Sequence, residues 1–102
     1  MTTRNGTPPR SVAEAIREAM DFAGMSQSDL SAIWGVSAGL ASALANGYRS
    51  ITPLVALRLE AAGLGSAVAW MDLQRDAALA EHRVAMAVEL TEIEARRREL
   101  GL

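Results

Sequence analysis

His82 is the single histidine of this 102-residue chain, and Glu81 stands beside it. An imidazole next to a carboxylate suggests acid–base or metal chemistry. Adjacent residues of a helix point apart, however, and a protein metal site draws on several such ligands, so the pair reads as a surface feature. There is no cysteine, which removes thiolate ligands, a cysteine nucleophile and disulfides. Gly63-Leu64-Gly65 has the glycines of a phosphate-binding loop but no strand before it, so it reads as a helix stop. Arg96-Arg97-Arg98 would suit a phosphate, yet Glu92, Glu94 and Glu99 surround it, as on a solvated helix face. These residues predict no enzymatic activity, no metal and no cofactor.

A different chemistry, contact with duplex DNA, is suggested between Ser26 and Gly47. A tight crossing of two helices needs apolar side chains at Leu30 and Trp34, a small one at Ser31, and glycine at Gly35. It then needs apolar groups again at Val36, Ala41 and Leu44, and all seven positions comply. That spacing is the helix-turn-helix pattern, whose second helix lies in the major groove while flanking residues hold the phosphates. The outward residues of this second helix would be Ala38, Gly39, Ser42, Ala43 and Asn46. None is Arg, Lys or Gln, so only Ser42 and Asn46 offer polar contacts to base edges, and Leu40 or Ala43 would meet thymine methyls. Tyr48, Arg49 and Thr52 follow as backbone contacts, with Arg4 and Arg10 preceding on an N-terminal arm.

Positioning such a helix requires a scaffold, and the chain spells one out in caps and stops. Residues 1–10 read as a flexible arm. Ser11 with Glu14 opens a first helix with apolar face Val12, Ile16, Met20 and Ala23, closed by Gly24. Ser26 with Asp29 opens a second, whose apolar contacts are Leu30, Ile33 and Trp34 and which Gly35 closes. Ser37 caps a third that runs through Asn46 to the stop at Gly47. Thr52-Pro53 opens a fourth over 54–62. From Ser66 to Leu100 neither Gly nor Pro interrupts, which predicts one long helix or two meeting near Leu79 to His82. Met86, Leu90, Ile93 and Leu100 form a narrow stripe there, flanked by Glu92/Arg96 and Glu94/Arg98 at the i, i+4 spacing.

Composition agrees with packed helices. Half the residues are apolar but only 4% are aromatic, so a core must come from Ala, Leu, Val, Ile and Met. The length fits one domain with an appended helix. The polar opening MTTRNGTPPR is no secretory signal, and the most apolar run, 61–71, falls short of the ~20 residues that span a bilayer. With no cysteine, the expectation is a soluble, cytoplasmic protein without a membrane partner. The net charge of −2 argues against nucleic-acid binding by bulk electrostatics. Residues 1–63 carry five Arg and five acids, however, and the acidity lies in residues 64–102, with five Arg against seven acids. Every basic residue is Arg, which suits bidentate phosphate contacts and is equally a product of genome base composition.

The stretch from Gln27 to Gly47 resembles the lambda-repressor-like, or Xre, helix-turn-helix family, including Gln27 at the head of the first motif helix and Asn46-Gly47 after the second. Ile51-Thr52-Pro53, Ala56-Leu57-Arg58-Leu59, Trp70-Met71-Asp72-Leu73-Gln74 and Leu79 then resemble the HigA-type antitoxins, over about residues 11–80. The His-Pro-Gly entry common before the first helix of that group is absent, and residues 81–102 extend past the shared region.

The resemblance implies an all-α, five- to six-helix lambda-repressor-like fold with a long C-terminal helix, made of a helix-turn-helix domain at 11–65 and a helical 66–102 extension for dimerisation or a partner. It implies a homodimer that represses its own operon at double-stranded operator DNA and neutralises a RelE/HigB-like ribonuclease toxin. DNA contacts are expected from Gln27, Ser37, Ala38, Gly39, Ser42, Asn46, Tyr48, Arg49 and Thr52. Interface contacts are expected from Trp70, Leu73, Leu79, Met86, Leu90 and Ile93, with Trp70 equally suited to the core. Two alternatives stay open: a phage or mobile-element regulator with no toxin, and a protein-interaction module without DNA binding.

Overall fold

The computed structural model describes residues 11–35 and 38–102, Ala38 by its backbone alone. The expected arm, with Arg4 and Arg10, and the expected roles of Val36 and Ser37 lie outside the described residues. The described chain is all-helical. Its elements are α1 (Val12–Ala23), α2 (Gln27–Trp34), α3 (Ala38–Ala45), α4 (Pro53–Ala61), α5 (Ala67–Ala85) and α6 (Ala87–Glu99).

The helix starts follow their caps. Ser11 Oγ accepts the Glu14 N–H at 3.1 Å, and at α2 the exchange is reciprocal: Ser26 Oγ accepts from Asp29 N at 3.0 Å while Asp29 Oδ2 accepts from Ser26 N at 2.9 Å. The Thr52 hydroxyl accepts from Val55 N ahead of Pro53. At α5 the Ser66 hydroxyl accepts from Ala69 N, and Glu60 Oε2 reaches over from α4 to take the Ala67 N–H at 2.9 Å. Two of the four amide donors otherwise left open at that helix start are thereby satisfied.

Packing is concentrated in α1–α5. Ile16, Leu30, Leu44 and Leu59 are fully buried and contribute one side chain from each of the first four helices. Ala15, Met20, Ala41, Ile51, Val55, Ala56, Leu64 and Trp70 complete the cluster. The small residues let α2 and α3 cross closely and bring α1 against α3. On α1 the buried face is Ala15, Ile16 and Met20, with Val12 partly covered. Ala23, expected on that face, is exposed in the last residue of the helix, next to the Gly24 stop, and is not part of the core cluster. Ile33 is also exposed, and Trp34 alone takes up the packing at the end of α2.

The C-terminal region departs furthest from expectation. The uninterrupted run breaks at Met86 rather than near 79–82, its φ of −106° and ψ of 13° separating α5 from α6. Neither Gly nor Pro marks the break. None of α6 is buried, and α5 is the one element against which it packs substantially. The molecule is elongated, 57 × 32 × 20 Å, with a radius of gyration of 17.6 Å against about 13 Å for a compact chain of this length. The Glu92/Arg96 and Glu94/Arg98 pairs do not close; among the described residues Arg75 pairs instead with Asp72 at 3.2 Å and Asp76 at 3.1 Å. No helix among them is long and apolar enough to cross a membrane.

Candidate nucleic-acid interface

The α2–α3 crossing sets the candidate surface. Leu30 and Ser31 of α2 and Ala41, Leu44 and Ala45 of α3 face inward and are buried. What α3 turns outward is Gly39 and Asn46, both exposed, with Ser42 and Ala43 half-buried between them. Gly35 closes α2 at φ 68°, a left-handed conformation that costs glycine little and places the chain for the turn into α3.

The far end of α3 closes on Gly47 at φ 80°, with Gly47 N donating to Leu44 O at 3.3 Å and Tyr48 N to Ala43 O at 2.8 Å. A Cβ at Gly47 would sit 3.5 Å from the Ala13 Cβ, so this turn lies against the start of α1. The stop leaves Tyr48 84% exposed with Arg49 and Ser50 exposed beside it. Gln27 is exposed at the start of α2, and Thr52 at the start of α4.

Asn46 is not disposed as a base reader would be. Its Nδ2 donates to the Ser42 carbonyl at 2.9 Å and to Ser42 Oγ at 3.2 Å. The two polar side chains of the α3 surface are thus engaged with one another. A bidentate contact of the amide with adenine requires those bonds to be exchanged for bonds to the base.

Three long-range hydrogen bonds hold this surface, and none was legible from local sequence. Arg17 Nη1 on α1 donates to the Ala45 carbonyl, placing a cation at the negative end of α3. Trp34 Nε1 donates to Arg58 O on α4 at 3.1 Å. Gln74 Oε1 on α5 accepts the Ile51 N–H at 2.6 Å, tying down the segment that carries Tyr48 and Arg49. Gln74 stood in the α5 run of the resemblance; its role is a backbone anchor 23 residues from its partner.

No protein-family model matches this chain, and no curated protein does.

The expected interface residues divide. Trp70 is 7% exposed and its Nε1 donates to Leu64 O at 2.9 Å, so within the chain it is a core residue. Leu73 is partly buried against that core. Leu79, Met86, Leu90 and Ile93 remain on the surface, outside the core cluster. His82 and Glu81 line an open groove of about 350 Å³ with Ser11, Gly47, Arg49 and Gln74. Among the described residues no group of three or more His, Cys, Asp or Glu is placed to hold a metal.

Proposed function

We propose that this chain is a DNA-binding transcriptional repressor of the helix-turn-helix type, acting as a dimer, with α3 entering the major groove. The observation that carries the reading is the α2–α3 unit. Its apolar and small residues are spent on the crossing, and its outward edge is left with small side chains from Gly39 to Asn46. Small groups allow the helix backbone close to the groove floor, while Gln27, Tyr48, Arg49 and Thr52 lie along the surface as contacts to phosphate. Specificity then rests on Ser42, Asn46 and the spacing of two half-sites more than on a dense set of base contacts.

The resemblance of residues 11–80 to HigA-type antitoxins supports a finer reading, in which the protein is cytoplasmic, represses its own operon and masks a RelE/HigB-like ribonuclease toxin. The Asn46–Ser42 pairing favours a second reading, a protein-interaction module that does not bind DNA, because it occupies the polar groups that would read bases.

An electrophoretic mobility shift with DNA from upstream of the gene, at two salt concentrations and with an unrelated duplex as competitor, tests the proposal. A shift that survives the competitor and weakens with salt is expected. A folded dimer that shifts neither duplex would move the reading to the protein-interaction module. A short, basic RelE-like reading frame beside the gene is the expectation of the antitoxin reading in particular.

A further inference from the structure

The groove that holds His82 is walled by three elements: the opening residues 11–13 of α1, the turn 47–50 that follows α3, and one face of α5. That face carries Gln74, Ala78, Glu81 and His82, whose spacing keeps them on a single side of the helix. Ala77 and Ala78 lie between the polar residues and add little bulk. Gln74 Oε1 takes the Ile51 N–H, which draws the segment after Arg49 onto the same side of α5 as His82. A histidine of α5 thereby shares a groove with the arginine of the turn.

The donors of this groove are uncommitted. Arg17 is bonded to the Ala45 carbonyl, and Arg75 to Asp72 and Asp76. Among the described residues, by contrast, no hydrogen bond or ion pair engages the Arg49 guanidinium, the Ser50 hydroxyl or the His82 imidazole, and all three residues are exposed. Guanidinium, hydroxyl and protonated imidazole all donate to phosphate oxygens. Glu81 is the one acid among the lining residues. The form of the groove distinguishes which phosphate it suits. A pocket for a free small molecule encloses most of its ligand, whereas this groove is open to solvent, as the backbone of a polymer requires. It also begins at Arg49, where the proposed DNA-facing surface ends.

We infer that the groove seats a phosphate of the operator backbone between Arg49 and Ser50 of the turn and His82 of α5, and that protonation of His82 strengthens the contact. The inference rests on the DNA-binding reading proposed above and adds to it a pH-sensitive hold outside α3. The charged groups that face the imidazole are Arg49 across the groove and Glu81 beside it on α5; the α1 wall contributes none.

The mobility shift with DNA from upstream of the gene, run at pH 6.0 and pH 7.5, tests this, since an imidazole changes its charge over that span. His82 is the single histidine, so its variants isolate the effect. Wild type should bind about three- to tenfold more tightly at pH 6.0, with a log–log salt slope steeper by about one. His82→Gln should lose both differences. His82→Lys, a permanent cation, should bind at pH 7.5 as the wild type does at pH 6.0. Glu81→Gln should tighten binding by about two- to threefold, whereas Glu94→Gln, the same change of charge on α6 and outside the groove, should not. In proton NMR the one imidazole should shift on addition of the duplex and not on addition of millimolar inorganic phosphate. These positions are exposed, so circular dichroism of each variant should match the wild type. A folded His82→Gln variant that keeps the wild-type pH and salt dependence, or an imidazole that responds equally to inorganic phosphate, would overturn this site while leaving α3 on the DNA. A wild type that shifts no duplex would overturn the DNA-binding reading and this site with it.

Discussion

Gln74 and Asp29 do comparable work at opposite ends of what a sequence can disclose. Asp29 sits three residues after Ser26, and that spacing alone announces the reciprocal cap at α2. The bond from Ser26 N–H, and then that from the Ser26 side chain, hold the Asp29 carboxyl below its ordinary value of 3.8. A carboxylate depressed by folding adds stability above its unfolded value and loses it as pH falls through the folded one. Acid unfolding of the wild type should therefore be steeper below about pH 4 than that of Asp29→Asn, checked by circular dichroism between pH 2 and 6. Gln74 had no comparable signal, because its partner lies 23 residues away and only the packing of α5 on α4 brings them together. Gln74→Ala leaves the N–H of buried Ile51 without its acceptor and should lower stability by about 1–3 kcal/mol. Gln74→Glu, which keeps an acceptor oxygen, should recover much of that in a urea titration.

At the scale of elements, the helices whose ends are written in short-range chemistry were legible. Ser11, Ser26 and Thr52 cap where expected, Ser66 caps α5 without having been singled out, and Gly24, Gly35 and Gly47 take the left-handed conformation at the stops. The division between α5 and α6 was not, since Met86 carries no breaking residue and adopts its turn within an otherwise helical run. Faces were legible where a neighbouring helix covers them and misjudged where none does, as at Ala23 and Ile33 in the last turns of α1 and α2. Trp70 shows how a residue type can point two ways: a tryptophan suits an interface or a core, and the Leu64 carbonyl near its indole N–H decides for the core. Trp70→Ala should cost about 3–5 kcal/mol of folding stability, and this loss should be the same at all protein concentrations. A loss that vanished in the monomer would return Trp70 to the interface. Truncation after Ala85 should keep the α1–α5 unfolding transition, because α6 contributes nothing to the buried cluster. Calorimetry of the truncated chain at low concentration checks this.

Taken whole, the molecule buries its core among α1–α5 and carries α6 outside that core, in an elongated shape 57 Å long. The net charge of −2 does not contradict a DNA-facing surface, because the excess acid lies in residues 64–102 and α3 itself carries no acidic residue. Few phosphate contacts are available on that face, so affinity should fall only modestly with salt, by less than the roughly 10³-fold lost between 50 and 200 mM by proteins that make six or more. The central claim, that the outward edge of α3 meets DNA, is tested most directly by the double substitution Ser42→Glu with Asn46→Glu. Both positions lie outside the buried core, so circular dichroism and oligomeric state should match the wild type. Two carboxylates turned toward the phosphates should weaken binding to upstream DNA by about 100-fold or more in the mobility-shift assay. Equal shifts by wild type and the folded double variant would contradict the account and remove α3 from the interface.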